Sequence, residues 1–201
     1  MNDPINCAAR IYLDLTRLGV RCALVGGIAV GLRTRPRTTK DVDFSVAVAS
    51  DRQAEQIVHR LCGAGYTARQ ILQQVDTGRL ATVRLVTPES AGDEPDLDLL
   101  FAACGIEPEI VDAAEPVVIW SSVRVPIAAI PHLIAMKVLA ENDQSRGQDR
   151  VDLVQLIRRA DDAALRAARA CCELITGRGY ARDKDLLAVF DAFLMRASRR
   201  I

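Results

Sequence analysis

LVGGIAVGLRTRPRTTKDVDF, residues 24–44, strings four local signals together in one short segment. CALV (22–25) reads as a buried strand, and Gly26-Gly27 turns the chain into a short helix through about Arg33. Thr34 to Lys40 is a loop, because Pro36 and the neighbouring cations leave no apolar stripe. Asp41 to Val48 then alternates, with Val42, Phe44, Val46 and Val48 on one face and Asp41, Asp43, Ser45 and Ala47 on the other. Both aspartates therefore share one face of one strand.

Side chains two apart on a strand project to the same side, so Asp41 and Asp43 can bridge divalent cations. Two such ions about 3.5–4 Å apart can activate an attacking hydroxyl and neutralise a leaving pyrophosphate. A third carboxylate from a neighbouring strand would complete the set. Asp96 and Asp98 are the candidates, and Asp98, followed by Leu-Leu-Phe, sits better inside its strand. At the Gly26-Gly27 turn the missing Cβ atoms let backbone amides approach a phosphate, and the helix N-terminus adds positive potential. Arg33, Arg35, Arg37 and Lys40 supply four cations for phosphates or for an acceptor's backbone. Taken singly, a Gly-Gly pair is more often a plain turn, a D-x-D a surface pair and a basic loop a solvated one. Their joint order carries the argument, since carboxylates heading an apolar strand are costly without cations.

Upstream, Asp3-Pro4 opens a helix carrying Ile5, Ala8, Ile11, Tyr12, Leu15 and Leu18, which Gly19 ends. Downstream, Ser50-x-x-Gln53 is a capping-box start for a helix with Ile57, Val58 and Leu61 that stops near Gly63 and Gly65. Strands follow at 80–86 (LATVRLV) and, after the turn-rich PESAGDEP, at 97–101 (LDLLF). From about 105 the pattern gives a helix, then short β segments at 117–120 and 123–126. Beyond these come only helices, from Pro131 with Leu133, Ile134, Val138 and Leu139, and then over 148–160, 161–178 and 183–199. The shift near residue 128 divides the chain into a mixed α/β core, 1–127, and a helical lobe, 128–201.

Lys+Arg and Asp+Glu both number 26, so no global field draws in nucleic acid or an anionic membrane, and a polyanion must meet a local patch. The start, MNDPINCAARIYLDL, lacks a signal-peptide pattern, and no segment nears eighteen uninterrupted apolar residues, which predicts a cytoplasmic protein with no membrane partner. Cys7, Cys22, Cys62, Cys104, Cys171 and Cys172 are scattered without a C-x-x-C, and they are read as buried free thiols rather than a zinc site or disulfide framework. His59 and His132 have no visible partner and are read as structural, Trp120 as core, and Arg196, Arg199 and Arg200 as a solvated helix end.

Gly26-Gly27, Asp41-x-Asp43 and Asp98 resemble the signature of the nucleotidyltransferase superfamily that includes DNA polymerase beta. The stretch Arg37-x-Thr39-x-Asp41-Val42-Asp43 and the later Leu133-Ile134-Ala135-Met136-Lys137, followed by Arg146, Asp149, Asp152 and Leu153, are similar to AbiEii-like toxins and minimal nucleotidyltransferases. The resemblance covers roughly residues 20–160. It implies an α+β nucleotidyltransferase fold, a small mixed β-sheet flanked by helices with a C-terminal helical lobe. It also implies that Lys137 contacts the triphosphate and that Asp149 orients Lys137 or acts near the acceptor hydroxyl. One departure stands out: many relatives carry a serine after the first glycine, whereas Gly27 offers only its amide.

The expectation is a metal-dependent transferase of NMP from an NTP. Asp41, Asp43, Asp98 and Asp149 are the catalytic acids, and the first three hold two Mg²⁺ ions or, alternatively, Mn²⁺. Gly26, Gly27, Arg35, Lys40 and Lys137 bind the nucleotide. The first choice of acceptor is tRNA or another macromolecule, for a toxin with a cognate antitoxin or a phage-defence role. The alternatives are an aminoglycoside-type adenylyltransferase and a catalytically silent nucleotide- or partner-binding module.

Overall fold

The computed structural model describes residues 3–88, 95–141 and 147–198. Most of the PESAGDEP loop, Arg146, Arg199 and Arg200 lie outside these residues. Helix α1 (Pro4–Arg17) begins where Asp3 Oδ1 accepts the Ile5 amide at 3.1 Å, and it buries Ala8, Ile11 and Leu15. Strand β1 (Cys22–Leu24) runs into α2 (Gly26–Arg33), and the loop after it leads to β2 (Val42–Val46). Helix α3 (Asp51–Gly63) carries the expected cap, with Ser50 Oγ accepting the Gln53 amide and Gln53 Oε1 accepting the Ala49 amide.

Next come β3 (Thr67–Gln73), β4 (Leu80–Val86), β5 (Leu97–Leu100), α4 (Glu107–Asp112), β6 (Glu115–Trp120) and β7 (Val123–Ile127). Helices α5 (Ile130–Ala140), α6 (Gly147–Arg159), α7 (Asp162–Gly177) and α8 (Leu186–Ser198) complete the chain. The seven strands form one mixed sheet in the order β3-β4-β5-β2-β1-β7-β6. β2 lies near its centre, antiparallel to β1 and parallel to β5, so Val42 and Phe44 are fully buried. Its neighbour β5 also pairs antiparallel with β4. This register sets Asp43 level with Asp98, and Asp98 level with Arg84 of β4.

The core is continuous from Cys7 in α1 to Phe193 in α8, and α5 packs on α2, α6 and α7. Arg33, the last residue of α2, clamps this junction: its Nε and Nη2 donate to the carbonyls of Ala128 and Ile127 at 3.0 and 2.9 Å. None of the helices among the described residues is long and apolar enough to cross a membrane.

Three expectations change. β3 lies where the sequence reading had no strand, because all seven of its residues are exposed and TARQILQ has no buried face to pattern. Trp120 ends edge strand β6 and is 39% exposed rather than core. Cys62 is exposed and Cys171 half-buried, while the other four thiols are buried, and all six cysteines are free. Ser45, which shares the aspartates' face in the alternation, is fully buried, so that face is open only at the N-terminal end of β2.

Candidate active site

Asp43 and Asp98 stand side by side on β2 and β5, and Asp41 immediately precedes β2. Burial, aided by the nearby Asp98 and Asp41 charges and opposed by Lys137 and Arg84, pushes the Asp43 carboxyl up to about 7. Gly26 makes room for this carboxylate. A Cβ there would lie 1.9 Å from Asp43 Oδ2, and the residue's φ of +63° favours glycine independently. Gly26 and Gly27 are the first two residues of α2, where backbone amides have no partner within the helix.

Asp98 has a cationic partner already. Arg84 grips it in a bidentate pair, Nε to Oδ1 at 2.8 Å and Nη2 to Oδ2 at 2.7 Å. Asp96, the rejected candidate, accepts from Arg69 Nη1 at 3.0 Å and lies 3.7 Å from Arg84 Nη1. Among the described residues no three acidic, histidine or cysteine side chains are grouped to hold a metal ion as they stand. The donor chemistry still fits a hard divalent cation. Asp41, Asp43 and Asp98 offer only oxygen, and Asp43 is a buried carboxyl whose ionised form is disfavoured first by burial and then by the Asp98 and Asp41 charges.

The cations sort by use. Arg33 belongs to the fold, with Nη1 also donating to Glu115 at 2.8 Å. Arg37 turns inward, its Nη2 lying 3.0 Å from Asp152 Oδ2. Asp152, only 1% exposed, also lies 3.2 Å from Lys137 Nζ and accepts from Gln148 Nε2 at 2.8 Å. Lys137 in turn donates to Asp149 Oδ1 at 2.5 Å. One buried aspartate on α6 thus fixes a guanidinium from the loop and an ammonium from α5. Gly27 lies under this arrangement: a Cβ there would meet Arg37 Nη2 at 2.6 Å and Thr39 Oγ1 at 2.7 Å. The space that a serine would take is filled by arginine.

The two halves meet. Gly26, Asp43 and Lys137 line a single cavity of about 150 Å³, walled by Val25, Leu133 and Met136. Arg35 lines a different cavity, with Thr34, Gln155, Arg158 and Arg159, and Lys40 is exposed. Sequence reasoning gave Asp152 no role of its own, and it grouped Arg37 with the phosphate-pairing cations, whereas Arg37 pairs with Asp152. Both were visible within the quoted motifs, but nothing local tells which loop arginine turns inward. His59 is exposed, and burial lowers the pKa of His132. Burial also pushes the Cys22 and Cys172 thiols up to about 12, which makes them poor nucleophiles.

A Gly-Gly turn at a helix start, facing acids on paired central strands, is the arrangement of the nucleotidyltransferase fold, and solved structures agree. The chain is similar to an antigenic nucleotidyltransferase-like protein from Paracoccidioides brasiliensis, with 16% identity over 94% of this chain and 92% of that one and a TM-score of 0.53. It is also similar to the nucleotidyltransferase toxin MenT4 from Mycobacterium tuberculosis H37Rv, with 15% identity over 96% of this chain and 80% of that one and a TM-score of 0.55. No curated protein matches the chain in sequence. Residues 11–199 match the family described as "Nucleotidyl transferase AbiEii toxin, Type IV TA system". The chain belongs to that family of nucleotidyltransferases. Membership makes it an enzyme of NMP transfer from an NTP and implies a cognate antitoxin.

Proposed function

We propose that the chain transfers an NMP from an NTP to a hydroxyl of a macromolecular acceptor, with tRNA the first choice, and acts as the toxin of its pair. The observation that carries this reading is the single cavity shared by Gly26, Asp43 and Lys137. It brings a phosphate-binding turn, a carboxylate and a cation within reach of one triphosphate. In this reading residues 1–127 supply the turn and the acids, and the helical lobe from 128 supplies Lys137 and Asp149.

The amides of Gly26 and Gly27 and the Lys137 ammonium hold the triphosphate. Asp152 and Asp149 keep Lys137 aimed, and Asp152 keeps Arg37 beside the turn. Asp41, Asp43 and Asp98 would hold the divalent cation, two Mg²⁺ ions or Mn²⁺, which when bound neutralises phosphate charge and lowers the pKa of the attacking hydroxyl. The acceptor hydroxyl releases its proton to water as its oxygen attacks the α-phosphorus in line, the bond to the β-phosphate bridging oxygen breaks, and pyrophosphate departs past Lys137.

The test incubates the protein with each α-labelled NTP and Mg²⁺ or Mn²⁺. Total RNA, the protein itself and aminoglycosides are offered in turn, with the Asp41→Ala/Asp43→Ala variant as control. Label on RNA that the variant cannot place supports the proposal. Label on an aminoglycoside assigns a small-molecule acceptor instead. NTP binding without transfer to any acceptor leaves a silent binding module.

A further inference from the structure

We propose that Arg35, Arg158 and Arg159 form a second anion site that holds the phosphodiester backbone of an RNA acceptor. The inference rests on the macromolecular-acceptor reading above and assigns Arg35 to the acceptor rather than to the NTP. The cavity is large, about 470 Å³, and Thr34, Arg35, Gln155, Arg158 and Arg159 line it. No acid stands among those residues. Arginines in the last turn of α6 would by themselves only complement a helix C-terminus. Here a third arginine enters from another element, the loop after α2, and three like charges converge without a carboxylate between them.

Their neighbours show that other arginines in these elements are used differently. Arg33 is clamped to Ala128, Ile127 and Glu115, and Arg37 to Asp152. Arg158 donates through Nε to the Ala197 carbonyl at 3.2 Å, which ties the end of α6 to α8. Arg35 and Arg159 form no ion pair or hydrogen bond with the described residues. In a chain with no net charge, the side chains of Arg35 and Arg159, without a partner among the described residues, are what a polyanion would meet here.

Position favours a strand that also reaches the catalytic cavity. Asp152, Gln155 and Arg159 follow one another at helical spacing on α6, so Arg159 lies about two turns from Asp152, roughly 10 Å along the axis. At about 3.4 Å per stacked nucleotide, that distance spans roughly three nucleotides. A hydroxyl end placed at Asp43 and Lys137 would bring the phosphates of the preceding nucleotides over the arginines.

The test uses the full-length Arg35→Glu/Arg159→Glu variant and unfractionated tRNA. It measures tRNA affinity by fluorescence anisotropy across a salt series, and the affinity of a fluorescent NTP analogue in parallel. The expected result is a roughly tenfold or greater loss of tRNA affinity. The log–log salt slope should flatten by about 1.4–1.8, for two lost phosphate contacts. NTP affinity should stay within about twofold. The Arg35→Ala/Arg159→Ala pair, expected to flatten the slope equally, serves where charge reversal impairs folding. Unchanged tRNA affinity and slope in a folded variant overturn the site, and so does a loss of NTP affinity with tRNA binding intact. Wild-type protein that labels a small acceptor but ignores tRNA overturns this inference and leaves nucleotidyl transfer standing. Protein that binds tRNA through these arginines yet moves no label supports the site and overturns the catalytic reading.

Discussion

Asp43 on the sheet and Lys137 on α5 face one cavity, and their surroundings are prepared in opposite ways. On β2 and β5, burial first and the neighbouring Asp98 and Asp41 carboxylates second make Asp43 resist ionisation, with Arg84 engaging only Asp98 by hydrogen bonds. On α5 and α6 the charges are matched, with Asp152 between Lys137 and Arg37 and Asp149 on Lys137. The sheet side is left short of positive charge, and the helical side holds its cations ready. A cation-requiring, phosphate-binding reaction uses both conditions, since the unrelieved acids attract metal and the fixed cations need little rearrangement to meet phosphate.

The largest expected break removes the sheet side. Asp43→Asn should cut transfer of label from an α-labelled NTP by about 10²–10³-fold or more, while NTP binding to the turn and Lys137 persists. Next, removing the keystone of the helical side should cost stability rather than chemistry alone. Asp152→Ala leaves Arg37 without its carboxylate and Lys137 with Asp149 alone, and the unfolding free energy from chemical denaturation should fall by roughly 3 kcal/mol.

A smaller effect concerns pH. The folded-state pKa of Asp43 is raised from 3.8 to about 7, so the folded form holds this proton more tightly than the unfolded chain. Its contribution to stability is fully present below about pH 4 and is lost as pH climbs through about 7. Thermal melts of the metal-free protein from pH 5 to 8 should show this decline. The Asp43→Asn variant should lose that part of the slope and melt higher than the wild type at pH 8. A wild-type slope retained in the variant would remove Asp43 as the unrelieved acid.

The finest test separates Arg84 from the acids it faces. Arg84→Gln gives up a half-exposed bidentate pair and should cost about 1 kcal/mol of stability. Mn²⁺ should bind the variant more tightly, because Asp98 no longer shares its oxygens, and calorimetric titration would report the gain. Weaker Mn²⁺ binding would mean that Arg84 orients Asp98 for the metal.

The sheet side was largely legible in the sequence because its signals are local. Alternation through Val42, Phe44 and Val46 fixes the face of Asp41 and Asp43, and Leu97 and Leu99 do the same for Asp98. The parallel register that sets Asp43 against Asp98 joins residues 55 apart, and no periodicity specifies it. The helical side is less legible still. Asp152 reads as one more charge on an amphipathic helix, and its burial depends on α6 lying against α5 and α2. Edge strands fail for the opposite reason: β3 and the end of β6 are bared to solvent, so neither Thr67–Gln73 nor Trp120 carries the burial pattern that identifies a strand or a core aromatic.

The missing side chain at Gly27 has a consequence for anyone reshaping this site. Replacing it with serine, to imitate relatives that carry one, would not restore a lost phosphate ligand. The new Cβ would collide with Arg37 Nη2 and Thr39 Oγ1, so the hydroxyl could enter only by evicting the guanidinium and, with it, one of the counter-charges of buried Asp152. Glycine at 27 and arginine at 37 are therefore epistatic partners. A side chain at 27 is tied to a shift of Arg37, and through it to the Arg37–Asp152 pair.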